Sequence, residues 1–143
     1  MVKRVLFICT ANICRSAMAE GLFNEKTEDN FHSFSSGIYA YNGNPTTKEA
    51  IKVLKEKGID ISSHRSQELT IGMLNLVDYV FVMTDHHLHY LVAHFPENKE
   101  KYFKLAEEDI DDPYMKGYDA YKESAEEISQ KLDEIIERLF TTN

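Results

Sequence analysis

Cys9 and Arg15 stand six positions apart in Cys9-Thr10-Ala11-Asn12-Ile13-Cys14-Arg15-Ser16, a thiol and a planar cation near enough along the chain to act on one anion. A loop of this length can curl until several backbone N–H groups point to one centre, and a helix starting behind it adds its positive end. That makes a cradle for phosphate or another oxyanion, formed by Thr10, Ala11, Asn12, Ile13, Cys14 and Ser16. The same field favours a thiolate at Cys9, so the nucleophile is expected to arrive ionised. Arg15 closes the loop with a guanidinium fork that takes two phosphate oxygens at once, a geometry lysine lacks. Ser16 is placed to donate a hydrogen bond to the sulfur and ease its departure in a second step. A thiolate attacking phosphorus also needs an acid across the leaving group, and Asp112 in Asp111-Asp112-Pro113-Tyr114 is the candidate. Proline stiffens that turn, and Tyr114 is available to wall a pocket for an aromatic leaving group. Loop amides and Arg15 already stabilise the transferring charge, so neither a metal nor any other cofactor is called for.

The spacing of Cys9 and Arg15 is by itself a weak signal, and its weight comes from the elements around it. Val5-Leu6-Phe7-Ile8 is apolar without alternation, as suits a central parallel strand covered on both faces. The helix after the loop has Ser16 as its expected cap and Met18, Leu22 and Phe23 inward. A second strand is expected over Phe31 to Ser35, then a loop with Tyr39, Tyr41 and the turn Asn42-Gly43-Asn44-Pro45. Thr46 or Thr47 is the expected cap of a helix that runs to Lys57 and ends at Gly58. Further on come a short helix from Thr70 to Leu76, a strand over Tyr79 to Met83, and a helix from Thr84 to His94 that stops before Pro96. A last strand is expected over Tyr102 to Leu105, then an acidic loop from Ala106 to Pro113. The closing helix, Tyr118 to Phe140, keeps Ala125, Ile128, Leu132, Ile135, Ile136 and Leu139 on one side. Strands and helices alternate, which favours a parallel α/β sandwich with its ligand beyond the carboxyl ends of the strands.

A chain of 143 residues, 43% of them hydrophobic, can build one substantial core, so a single domain over 1–143 is expected. The formal net charge of −8 argues against nucleic acid or anionic membrane as a partner, since both require a positive field. No apolar run reaches membrane length. Two cysteines make no disulfide framework, so a reducing cytoplasm is the expected home. His86, His87, His89 and His94 have no third ligand type close by and read as exposed helix residues, with no metal site expected. A strand-end cysteine arises often for packing alone; here Arg15 and the helix start weigh against that.

Cys9 to Ser16 with Met18-Ala19-Glu20, and Asp112-Pro113-Tyr114, resemble the signature loop and acid loop of the low-molecular-weight protein-tyrosine phosphatases. The likeness extends through Ser35-Ser36-Gly37, Gly58 to Ile61, Ser63 to Ser66, Asp78 to Met83 and the C-terminal helix. The resemblance implies a three-layer sandwich with a four-stranded parallel sheet flanked by helices and a phosphate loop after the first strand. It implies hydrolysis of phosphotyrosine in phosphorylated proteins through a phosphocysteine intermediate, with Cys9 as nucleophile, Arg15 as clamp and Asp112 as acid and base. Supporting roles follow for Asn12, Ser36 and His64 as a hydrogen-bonded brace, and Tyr39 or Tyr41 as a second pocket wall. Ala11 stands where that family has glycine, and a positive φ there would strain the loop; Ala17 replaces a proline at the helix start. Ile13 resembles the tyrosine-directed members, whereas Met83 to His87 looks more like bacterial protein-arginine phosphatases, which stay as the alternative. Arsenate reductase chemistry requires a further cysteine pair that this chain lacks. An inactive phosphate-binding module has only Ala11 in its favour. Cys14 is either a reversible disulfide partner for Cys9 or a packed small residue.

Overall fold

The computed structural model describes residues 2–141, and its centre is the run Val5 to Ile8, each residue wholly buried. The reason is position in the sheet. Strand β1 (Lys3–Cys9) pairs in parallel with β2 (Phe31–Gly37) on one side and β3 (Tyr79–Val82) on the other. A short β4 (Tyr102–Lys104) adds beyond β3, giving the order β2-β1-β3-β4, all parallel. Both edges of β1 are therefore paired, and helices cover its two faces. Val5 and Phe7 pack with α1 (Arg15–Lys26) and α5 (Tyr118–Thr141), whereas Leu6 and Ile8 pack with α3 (Ile71–Leu76) and α4 (Asp85–His94). Helix α2 (Lys48–Lys55) joins the first layer through Ala50, Val53 and Leu54. Phe7 anchors that layer, meeting the Phe23 ring edge-on at 5.4 Å and stacking on Phe81 at 6.1 Å. Burying each such ring contributes roughly 1.5–3 kcal/mol. The four-stranded parallel sandwich implied by the resemblance is thus the fold.

Several local expectations are corrected. Ser16 does not cap α1: Cys14 occupies the cap position and no side chain caps the helix, while Ser16 sits inside the first turn with its hydroxyl turned elsewhere. Thr47 precedes α2 without a side-chain cap bond, and its N–H goes instead to the Ile13 carbonyl at 3.1 Å. Thr46 is buried with its hydroxyl unpartnered among the described residues. Helix α2 stops at Lys55, and Gly58 turns the chain at φ +81°. Between α4 and β4 a 3₁₀ segment, Pro96–Lys101, was not foreseen. Thr70 and Thr84 do cap α3 and α4, accepting bonds from the N–H groups of Met73 and His87. The seam of α5 is as read, with Ala125, Ile128, Leu132, Ile135 and Leu139 buried and Ile136 partly so; the surroundings of the Phe140 side chain lie outside the described residues. No helix among the described residues is long and apolar enough to cross a membrane.

This order of strands matters for the site. The chain leaves β1 toward β2 and returns on the opposite side at β3, so a crevice opens beyond the carboxyl end of β1, where Cys9 lies. Cys9 is in register with Gly37, the last residue of β2. A Cβ on Gly37 would fall 2.5 Å from the Thr10 carbonyl oxygen, so only glycine lets the loop after β1 lie this close.

Candidate active site

The loop from Thr10 to Cys14 is held from outside through its carbonyls. Cys9 O accepts from the Ile38 amide at 3.0 Å, Thr10 O from Tyr39 at 2.9 Å, Ile13 O from Thr47 at 3.1 Å and Cys14 O from Met18 at 2.9 Å. The Asn12 carbonyl accepts from His64 Nε2 at 2.9 Å, which fixes that nitrogen as a donor. None of these donors belongs to the cavity that the loop encloses. With these carbonyls bonded outward, they do not crowd the concave side, where an anion would need donors.

The cavity measures about 270 Å³ and is lined by Cys9, Thr10, Ala11, Ile13, Cys14, Arg15, Asp112 and Tyr114. Residues from the first loop and from a turn a hundred positions later therefore converge. Cys9 Sγ lies 2.9 Å from Ser16 Oγ, and Ser16 Oγ accepts from Asn12 Nδ2 at 2.7 Å. Asn12 Oδ1 in turn accepts from the Gln67 amide at 2.9 Å. A line of bonds thus runs from the sulfur through Ser16 and Asn12 to the segment after α2. Arg15 is 4% exposed: its Nη1 donates to the Ile110 carbonyl at 2.8 Å and its Nη2 to Thr10 Oγ1 at 3.4 Å, with Asp112 Oδ2 3.7 Å from Nη2. Asp112 is half exposed, and its other oxygen accepts from the Tyr114 amide at 3.1 Å across Pro113. At that exposure the ion pair with Arg15 adds little stability. The acid turn is placed instead by Ile110, whose N–H bonds the Met83 carbonyl at 2.9 Å and whose carbonyl takes the Arg15 bond.

Ala11 does not take a positive φ; the left-handed residue of the loop is Asn12, at +59°. Asparagine tolerates the left-handed region better than most residues, and its amide bonds on both sides fix it there. Alanine in place of glycine therefore does not strain this loop. Asn12 and Ser16, expected among the phosphate contacts, are fully buried behind the loop and do not line the cavity. Of the brace, Asn12 and His64 are joined, and His64 Nδ1 faces Glu20 Oε1 at 4.0 Å. Ser36 takes part only through its carbonyl, which accepts from Ser16 Oγ at 3.5 Å; its own hydroxyl has no partner among the described residues.

Tyr39 and Tyr41 stand apart from the cavity lining. Tyr39 packs its ring edge-on against Tyr90 at 5.5 Å, and Tyr41 is 79% exposed. Only Tyr114 walls the cavity. Cys14 is buried with its sulfur 3.3 Å from the Tyr121 hydroxyl, and burial pushes its thiol up to about 11. Both cysteines are free, and a thiol so hard to ionise is a poor partner in disulfide exchange.

His87 departs furthest from expectation. Read as an exposed helix residue, it is 1% exposed, with Nε2 3.0 Å from Thr10 Oγ1. Burial and then the nearby Arg15 charge push it down to about 4, so the ring is neutral at ordinary pH. The signal was present in the spacing: His87 and Leu91 are four apart and share the inner face of α4. His86 stays exposed, and no cluster of three metal-ligating side chains occurs among the described residues. A cleft of about 370 Å³ behind α1, lined by Glu20, Asp60, Ser63 and His64 among others, carries neither a cysteine nor an arginine.

Against known proteins, a family model described as Low molecular weight phosphotyrosine protein phosphatase matches residues 4–142. The chain is 35% identical to a protein-arginine-phosphatase of Geobacillus stearothermophilus, over 99% of each chain. It is equally, 35%, identical to a probable low molecular weight protein-tyrosine-phosphatase of Ralstonia solanacearum, over 97% of each. Among solved structures, a low molecular weight protein tyrosine phosphatase from T. tengcongensis superposes with a TM-score of 0.92 at 41% identity, covering 95% of this chain and 99% of that one.

Proposed function

Since the chain belongs to the low molecular weight phosphotyrosine protein phosphatase family, we propose that it hydrolyses phosphotyrosine in phosphorylated proteins through a phosphocysteine at Cys9. One observation carries this reading: Cys9 and Arg15 from the first loop and Asp112 from a distant turn line one cavity. Cys9 Sγ attacks phosphorus as the bond to the phenolic oxygen breaks, and Asp112 passes its proton to that oxygen. Asp112, now a carboxylate, takes a proton from water, whose oxygen bonds phosphorus as the S–P bond breaks. The sulfur leaves as a thiolate beside the Ser16 hydroxyl, and inorganic phosphate is released. Arg15 and the loop amides hold the charge on the transferring group throughout. The two free thiols suit a reducing compartment, and cytoplasmic residence is part of the proposal.

Ile13 and Tyr114 in the cavity wall favour tyrosine over arginine as the residue that carries the phosphate. An aromatic ring gains from apolar and aromatic contact, whereas a phosphoguanidine needs acceptors for its N–H groups. Asp112 is the one lining side chain with a carboxylate to offer. The protein-arginine-phosphatase relative keeps the second reading in view. Hydrolysis rates on matched phosphotyrosine and phosphoarginine peptides decide between them: kcat/KM is expected to be at least about tenfold higher on phosphotyrosine, given one or two contacts of difference. A preference for phosphoarginine would overturn the substrate assignment.

Asp112→Asn tests the acid. Single-turnover measurement of phosphorylation should show a loss of about a hundredfold for a poor leaving group such as a phenol, and little loss for one that departs unprotonated. Equal losses on both would remove Asp112 from that role.

A further inference from the structure

Thr10 is the first residue after the nucleophile, and its hydroxyl oxygen lies between two groups from different elements: Arg15 Nη2 at 3.4 Å and His87 Nε2 at 3.0 Å. His87 comes from α4, 77 positions along the chain, and nothing in the proposed chemistry uses it. We propose that His87 is a positioning residue, which holds the Thr10 hydroxyl and through it one edge of the Arg15 guanidinium that grips the oxyanion. This rests on the reading of the loop as a phosphate site.

A buried polar side chain is normally matched on all sides, and an unmatched one asks for an explanation. His87 is 1% exposed, yet its Nδ1 has no partner among the described residues. The ring is therefore kept for what Nε2 does. Arg15 is tethered at Nη1 by the Ile110 carbonyl at 2.8 Å, whereas Nη2 has Asp112 Oδ2 only at 3.7 Å, beyond hydrogen-bond distance. The Thr10 hydroxyl is the second tether, and a threonine hydroxyl alone rotates. With His87 on its other side, the rotor is locked and the three groups form a chain, guanidinium to hydroxyl to imidazole, in which each bond polarises the next. Neutrality is part of the device, since an imidazolium would place a second cation beside Arg15 and turn Nε2 into a donor, so that the Thr10 hydroxyl could no longer give its proton to the ring. The charged and titratable groups facing the ring are Arg15 from α1, His86 from its own helix, and Asp109 and Asp112 from the acid turn. The Thr84 cap fixes the first turn of α4 by accepting from the His87 amide, so the ring is delivered from a rigid base.

The test is a double-mutant cycle read by calorimetric binding of inorganic phosphate, with turnover of an aryl phosphate measured alongside. His87→Asn removes the group at Nε2 and is expected to weaken phosphate binding about tenfold, a loss typical of one or two hydrogen bonds to a charged site. His87→Gln returns an amide close to the Nε2 position and should stay within about threefold of the parent. Thr10→Val should cost about as much as His87→Asn, and adding His87→Asn to it should cost nothing further. Additive losses in the double variant would overturn the proposal. So would equal losses in the Gln and Asn variants that follow their melting temperatures, which is the mark of packing alone. Phosphate binding without aryl phosphate turnover in the parent protein would sink the proposed function and leave the cycle to judge His87. Failure of the parent to bind phosphate would sink both.

Discussion

Cys9→Ser is expected to remove turnover by about four orders of magnitude or more while the protein stays folded and still binds phosphate. Of the two cysteines that line the cavity, Cys14 is buried against the Tyr121 hydroxyl, which leaves Cys9 as the nucleophile, and a hydroxyl in its place ionises far less readily. Nothing near it acts as a general base to compensate: Ser16 Oγ is the side-chain group within bonding distance, and it is itself held by Asn12. The anion cradle does not depend on the sulfur, because the loop is fixed by carbonyl bonds to Ile38, Tyr39, Thr47 and His64. Steady-state hydrolysis of an aryl phosphate, together with calorimetric phosphate binding, separates the two effects. More than about a hundredth of the parent rate would exclude Cys9 as the nucleophile.

Arg15→Lys should be nearly as damaging, lowering kcat/KM about a thousandfold and weakening phosphate binding in the same measurements. Charge is retained, so the loss reports geometry. Arg15 performs two tasks with one planar group: Nη1 supports the Ile110 carbonyl, and the rest of the fork faces Thr10, Asp112 and the cavity. A lysine ammonium is a single point on a flexible stem and cannot fill both positions. If it reaches the anion, Ile110 loses its partner and the acid turn carrying Asp112 loosens; if it stays with Ile110, the anion loses its clamp. An orphaned buried carbonyl also costs about 1–3 kcal/mol of stability. Because the acid turn hangs on Arg15, the losses from Arg15→Lys and Asp112→Asn should combine to less than their product. A lysine variant within tenfold of the parent would refute the bidentate clamp.

Much of the architecture was legible in the chain. Val5 to Ile8 announced a strand buried on both faces because no polar residue interrupts it, and helices do cover it on both faces. The seam along α5 followed from helical period alone. The loop from Cys9 to Ser16 could be placed at the carboxyl end of a central strand because loop, strand and helix start are contiguous in sequence. Asp112 was found through its local pattern with Pro113 and Tyr114, and the structure brings it to the same cavity.

What the chain withheld is of one kind. The partner of the Asn12 carbonyl is 52 positions away, that of Thr10 is 77 and that of Arg15 is 95. Spacing and periodicity describe the local backbone, whereas these bonds depend on which loops meet after the sheet has assembled. Hence Ser16 reads as a helix cap from its neighbours, yet its hydroxyl serves Cys9 and Asn12. Tyr39 and Tyr41 lie close in sequence to β2 and the loop, but neither lines the cavity, and the Tyr39 ring packs on Tyr90 instead. His87 looks like one of several solvent-facing histidines until α4 docks and turns it toward Thr10. The sequence by itself determined most of the elements, their order and the proposed nucleophile and clamp, because each follows from residue type and local period. Only the tertiary structure decided which buried groups hold them in place, because a hydrogen bond is chosen by distance in space and carries no trace in the spacing along the chain.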